Sequence, residues 1–297
     1  IITASSATVE NLRKCVQASG VNVSQFVLNP LASAEVVLTE TEREMGVVVC
    51  DIGGGTSDLA VFYEGILKHT AVIPFGGENI TNDIRMGLGV LKSQAEAMKV
   101  QFGSALADEA KANAYITIPG LKGMPAKEIS VKNLAAIIQA RMGEILDFVT
   151  YHLKQVGLDH RALNGGIILT GGGSQLKHLI QLTEYTTGLN ARIGLPNEHL
   201  AANHIDELKK PMYATCIGLI LKGYNDYEHK YKEFSDKFVK MEVPEQLTKK
   251  TTVAEAPAEP TQAPATVDVT VRKERFWDKF KNNLIDLFKE EEDQVIR

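Results

Sequence analysis

The stretch "VVVCDIGGGTSDLAVF", residues 47–62, sets three consecutive glycines between two apolar runs that each read as a buried strand. Asp51 stands before the glycines and Asp58 after them. A hairpin needs only about two turn residues, so Gly53, Gly54 and Gly55 leave room for something more. Glycine lets successive backbone N–H groups turn toward one point, and the missing side chains let a phosphate approach closely. Asp51, at the mouth of the first strand, is placed to order a hydrated Mg2+ or an attacking water, because Mg2+ keeps several waters and borrows one or two carboxylates. Thr56 adds a hydroxyl near the phosphates. The plainer alternative is a hairpin whose glycines only turn the chain and whose Asp58 caps it.

A second loop favours the phosphate reading. "ILTGGGSQL", residues 168–176, repeats the device after an apolar strand and at the expected start of a helix carrying Leu176, Leu179, Ile180 and Thr183 on one face. Free amides and the helix dipole at such a place favour a polar or anionic ligand. Between the loops, "SQAEAMKVQFG" (93–103) reads as a charged helix with Ser93 and Glu96 in capping-box spacing. Two glycine loops and that helix suggest a nucleotide cleft.

The rest of the chain reads as alternating helices and strands, an α/β architecture. "TVENLRKCVQASG" spaces Val9, Leu12 and Val16 on a helical face ending at Gly20, and "VNVSQFVL" (21–28) follows as strand-like text. Asn29-Pro30 reads as an N-cap followed by proline at the first helical position. Strands flank a turn at Glu64-Gly65, and residues 115–129 suggest a small β-containing subdomain. Residues 130–155 form a long amphipathic pattern with Leu134, Ile137, Ile138, Ile145, Leu146 and Val149, and "YATCIGLILKG" reads as a last buried helix.

With 297 residues, 44% of them apolar, the chain can build a substantial core. Its net charge of -5 gives no electrostatic case for nucleic-acid binding. Cys15, Cys50 and Cys216 lie apart in apolar surroundings, which predicts buried free thiols in a reducing compartment rather than a metal site or disulfides. No apolar run reaches the roughly 18–20 residues of a membrane-spanning helix, and a cytoplasmic protein is expected.

The motifs carry a specific resemblance. "DIGGGTSD" resembles the second phosphate-binding motif of the actin and DnaK-type ATPase superfamily, "LTGGGSQL" its adenosine motif, and "AEAMK" the helix that holds adenosine. "NPLASAEVVL" and "PMYATCIGLIL" are similar to its two connecting helices. Within the superfamily, residues 31–84, "AKEISVKNLAAIIQARMGEIL" and "ARIGLP" are similar to the FtsA family of bacterial cell-division proteins.

That resemblance implies an actin-like (ribonuclease H-like) ATPase fold that binds ATP and Mg2+, with weak ATPase activity at most. It implies that Gly53, Gly54, Gly55 and Thr56 hold phosphates and that Asp51 positions metal or water. Glu96 and Lys99 would contact ribose and base, and Gly171, Gly172, Gly173 and Ser174 would line the adenosine pocket. The implied protein self-associates into filaments beneath the membrane at the division site and tethers the FtsZ ring there. The C-terminal peptide of FtsZ would dock on a subdomain at about residues 89–150, where Lys127 and Arg141 match the contact positions. Taken singly, Glu96 also reads as a helix cap, and Lys99 and Arg141 as solvated residues. The family's first phosphate loop and most of its small polymer-contact subdomain would precede residue 1, so the chain is expected to present part of an ATP site and to bind ATP weakly or not at all.

The expected division is the end of a first actin-like domain (1–45), a second domain (46–210), helices returning to the first (211–242), a linker (243–271) and a tail (272–297). The linker holds four of the ten prolines and no aromatic residue, too little apolar surface to fold. As a flexible coil it would span about 30 Å. In the tail, a helical projection puts Phe276, Trp277, Phe280, Leu284, Leu287 and Phe288 within an arc of about 120°, flanked by Lys279 and Lys281. Packing against a partner is one use of such a face. The aromatic residues and flanking lysines after a linker fit a helix lying in a bilayer surface.

Three other classes remain. A sugar kinase of the same superfamily needs a substrate pocket with a catalytic base, a chaperone-type ATPase a β-rich peptide-binding domain, and a pilus-assembly relative would lack the tail.

Overall fold

The computed structural model describes residues 2–111, 113–119, 125–158, 160–196 and 206–230. The described residues all fall in one compact unit, residues 1–240; residues 241–297, with the linker and the six tail positions named above, lie outside the described residues.

The centre of the fold is the quoted stretch. β1 (Val47–Ile52) is buried along its whole length, pairing antiparallel with β2 (Ser57–Tyr63) on one side and parallel with β6 (Gly166–Thr170) on the other. β3 (Ile66–Ile73) and β7 (Ala191–Ile193) complete the order β3-β2-β1-β6-β7. Side chains of a strand alternate between the two faces of a sheet, and here both faces are covered. Val48, Cys50, Ile52, Leu59, Val61, Ile167 and Leu169 share one core with α4 (Gly77–Leu88), α5 (Lys92–Phe102), α6 (Val131–Val156) and α7 (Leu179–Thr187). Val47, Val49, Ala60, Phe62 and Ile168 face the other way, toward α2 (Asn29–Val37) and α8 (Ala214–Lys230). The result is three layers, helix on sheet on helix, as the continuous apolar strands require.

Glu64 and Gly65 turn β2 into β3 with φ of 55° and 71°, the primed geometry that suits strand twist. The small subdomain carries an antiparallel pair, β4 (Tyr115–Ile118) with β5 (Lys127–Ser130). The long helix α6 buries Leu134, Ile138, Ile145, Leu146 and Val149 as its pattern predicts, with Ala135, Met142 and Leu153 beside them.

Several local expectations give way. Residues 21–28 form no strand. A strand needs a ladder partner, and none lies beside them among the described residues. α1 (Ser6–Ala18) has no fully buried side chain, with Val9 and Val16 half-buried and Leu12 exposed. Asn29 is inside α2 rather than capping it, its amide donating to Asp58 instead. In α5 the cap is formed by Leu91, whose N–H donates to Gln94 Oε1, because Glu96 is committed elsewhere. Of the three thiols only Cys50 is buried; burial and then the charges of Asp51 and Asp58 push it up to about 12, which leaves it inert. Cys15 and Cys216 are exposed. α8 buries one face against α2 and leaves Leu219, Ile220 and Tyr224 exposed. No helix among the described residues is long and apolar enough to cross a membrane.

α3 (Glu40–Met45) begins with a reciprocal cap between Thr39 and Glu42. Arg192 of β7 forks onto the same carboxylate, Nε to Oε1 and Nη2 to Oε2, both at 2.8 Å. Burial raises the Glu42 pKa, but the Thr39 N–H and the Arg192 guanidinium outweigh it and hold the group below its ordinary 4.5. A depressed carboxylate contributes stability above its unfolded pKa and loses it as pH falls through the folded value. Thermal midpoints measured from pH 6 to pH 3 should therefore fall less steeply for Glu42→Gln than for the parent chain. Parallel curves would show that the network has no linkage to protons.

Candidate functional site

Strands β1 and β6 are parallel neighbours, and Asp51 lies in register with Thr170. Both glycine loops therefore leave the same end of the sheet side by side. In open α/β sheets that is the end where ligands bind.

The first loop is closed by Gly53 N–H donating to the Thr56 carbonyl at 2.9 Å. Its outer carbonyls are held by the start of α4: Gly77 N–H donates to Gly53 O at 2.9 Å and Glu78 N–H to Gly54 O at 2.7 Å. A trans peptide is planar with its C=O and N–H opposed, so turning these two carbonyls toward α4 aims the Gly54 and Gly55 amides away from it. Both residues are exposed, and a Cβ at either would meet nothing. The loop thus presents paired outward donors with open space before them, the geometry of an anion nest. Gly76 permits the docking; a Cβ there would lie 2.7 Å from both carbonyl oxygens. The signal "GGEN" at residues 76–79 was available in the sequence and carries this part of the site.

Asp51 is 7% exposed. Its Oδ2 accepts from Ser33 Oγ of α2 at 2.6 Å and from Thr215 Oγ1 of α8 at 3.0 Å, and the two hydroxyls are 2.8 Å apart. Oδ1 lies against Gly171 of the second loop. Asp58 is directly across the ladder from Asp51. Burial raises its pKa, the Asn29 amide at 3.4 Å opposes this, and the Asp51 charge adds to the rise. Two carboxylates at a strand mouth are what Mg2+ borrows from a protein when phosphates and water supply the rest. Among the described residues no larger cluster of His, Cys, Asp and Glu gathers.

The second loop departs from expectation. It leads into a short 3-10 turn, Gly172–Gln175, and α7 begins only at Leu179. Leu176 is extended and outside the helix, so no helix dipole bears on residues 171–174. Ser174 is buried, its hydroxyl donating to Gly171 O at 2.8 Å, and Gly171 N–H donates to Pro211 O at 3.2 Å. Gly171 and Gly173 are pressed against Ile52 of β1, whereas Gly172 faces open space.

Lys99 is largely buried and ties α5 to α4, the helix that holds the first loop, with Nζ donating to Gly77 O (2.8 Å), Thr81 Oγ1 (2.9 Å) and Glu96 Oε2 (2.8 Å). Thr81 also bonds Glu96. The sequence placed Glu96 and Lys99 on one helix and did not show Thr81 of α4 joining them. The two candidate partner contacts meet α4 as well. Arg141 forms a fork with Asp83, Nε–Oδ2 at 2.6 Å and Nη2–Oδ1 at 3.1 Å, reaches Glu144, and stacks on Phe75. Lys127 donates to Leu88 O at the helix end, where a cation complements the dipole. Ser33, Thr215 and Asn29 stood in the sequence only as parts of connecting helices.

Comparison with known proteins agrees with this architecture. The family model described as cell division protein FtsA matches residues 48–218. Cell division protein FtsA of Neisseria meningitidis serogroup B is 40% identical over 220 residues, 74% of this chain and 53% of that protein. The Escherichia coli K12 protein of the same name is 37% identical over 230 residues, 75% and 54%. The chain thus spans about half the length of the curated relatives it matches. Among solved structures, MreB5 of Spiroplasma citri bound to ADP superimposes with a TM-score of 0.61 at 18% identity, covering 77% of this chain and 68% of that one, which shows the actin-like ATPase fold. With more than half of its residues matched by the family model, this chain belongs to the FtsA family of cell division proteins.

Proposed function

We propose that the paired glycine loops bind the phosphates and adenosine of ATP with Mg2+, and that the whole protein is a filament-forming adaptor that tethers the FtsZ ring to the inner face of the cell membrane. The observation that carries the reading is the first loop: α4 fixes its carbonyls so that the Gly54 and Gly55 amides face outward beside the held carboxylate of Asp51. The proposed phosphate contacts are these amides with the Thr56 hydroxyl, while Gly53, expected from the sequence to hold phosphate as well, spends its N–H on closing the loop to the Thr56 carbonyl. Asp51 and Asp58 would hold the metal, which supplies charge neutralisation between phosphates when bound. Glu96, Lys99 and the 171–174 loop are proposed to receive the nucleoside. Lys127 and Arg141 are proposed to meet acidic groups of the FtsZ C-terminal peptide, Arg141 through donors left by its fork with Asp83.

The relatives' name supports a division role, and the solved neighbour bound to ADP supports a nucleotide in a cleft of this kind. A chaperone or pilus-assembly role has no feature of its own among the described residues. The chain spans about half the length of the relatives it matches, so the test uses millimolar ligand. Mg2+ with the non-hydrolysable analogue AMPPNP should slow amide hydrogen exchange in residues 53–56 and 171–174. The same addition to Gly76→Val, in which the α4 contact is displaced, should leave 53–56 unprotected. Exchange unchanged in both segments of the parent chain would overturn the nucleotide reading.

A further inference from the structure

Near the C-terminal end of α6, His69 of β3 and His152 of α6 turn ring nitrogens toward each other, with Nε2 and Nδ1 3.4 Å apart. A good N–H to nitrogen hydrogen bond closes to about 3.2 Å or less, so the pair is stretched for a direct bond. The spacing suits something else. Two imidazoles on one tetrahedral zinc ion, with Zn–N near 2.0–2.1 Å, place their nitrogens about 3.3–3.4 Å apart. A square-planar site would draw them to about 2.8–3.0 Å.

The ring positions agree. The two centroids are 5.4 Å apart and the planes tilted by 36°. Rings sharing a tetrahedral ion stand about 5.2–5.3 Å apart, near the observed separation. We propose that His69 and His152 form a surface site for a tetrahedral divalent cation of the zinc type, joining the end strand of the sheet to the long helix, with water in the remaining positions. No other elements are required to move, since both nitrogens already stand at ligand spacing.

Tyr151 meets the edge of the His152 ring at 5.5 Å and limits its rotation. Both histidines are half-buried, so water can reach the open positions. The site is separate from the glycine loops and from the proposed nucleotide chemistry.

The test is titration of the whole chain with ZnCl2 in chelator-free buffer, read by calorimetry and by histidine ring NMR signals. One equivalent should shift the His69 and His152 ring signals together, and His69→Gln or His152→Gln should weaken that event by at least about tenfold. His178→Gln, which removes a histidine bound to Ser104 elsewhere, should leave it intact. Ring signals of the parent chain that do not move with zinc, or equal affinities across all variants, would overturn the assignment. The NMR reading on the parent chain decides the matter even where a variant folds poorly.

Discussion

Gly171→Ala should lower the free energy of unfolding by about 3 kcal/mol or more, while Gly172→Ala, one residue away, should change it by less than about 0.5 kcal/mol. Gly171 has φ of 80°, a region L side chains rarely adopt, and an added Cβ would overlap Asp51 Oδ1 and lie 2.6 Å from Ile52 O. Neither neighbour can yield easily: one is strand backbone, the other a carboxylate held by two hydroxyls. At Gly172 the same methyl meets nothing. For a domain of this size, the difference corresponds to a midpoint lowered by about 6–12 °C. Thermal unfolding of the two variants checks it, and matching midpoints would mean that the loops do not touch as described. The substitution should also move Asp51, so loss of exchange protection by Mg2+ and AMPPNP should accompany the loss of stability.

Removing residues 272–297 is expected to abolish co-sedimentation with vesicles containing anionic lipid, and Trp277→Glu alone to weaken it by at least about tenfold. The prediction rests on sequence. Six apolar residues, among them the chain's one tryptophan, share a helical face, and residues 272–289 carry six basic against three acidic side chains. A glutamate on that face puts a charge where apolar surface must leave water. One such helix binds reversibly, so attachment should steepen when several tails act together, and self-association would supply them. Undiminished pelleting of the truncated chain would remove the anchor from the proposed function.

The sequence and the structure agree best where a pattern is local. Strand, glycines, strand and the Glu64-Gly65 turn are legible because alternation and turn chemistry need nothing beyond their own residues. Residues 21–28 misled because strand-like text becomes a strand only with a ladder partner, and pairing is not a property of eight residues. The two glycine triplets read alike yet differ in kind. Gly54, Gly55 and Gly172 are open, whereas Gly171 and Gly173 are small because Ile52 lies against them. That distinction comes from the parallel pairing of β1 with β6, which no single segment encodes. The same holds for Asp51: the motif identified it, while its partners Ser33 and Thr215 arrive from helices at opposite ends of the described chain. The expected capping role of Glu96 failed through competition, since Lys99 and Thr81 claim its carboxylate.

The docking of α4 on the first loop bears on how the site comes into being. The contact joins residues 53 and 54 to 77 and 78, close along the chain and reached through a single hairpin. Contacts between near neighbours in sequence cost little loop entropy and form early. The second loop reaches its place only when β6 pairs with β1, across the whole subdomain and the long helix. One half of the cleft is therefore a local product of the chain, set before the distant strand arrives, and the other half is assembled onto it. A folding intermediate that holds the hairpin and α4 would already carry the outward-facing amides of Gly54 and Gly55, with no second loop opposite them.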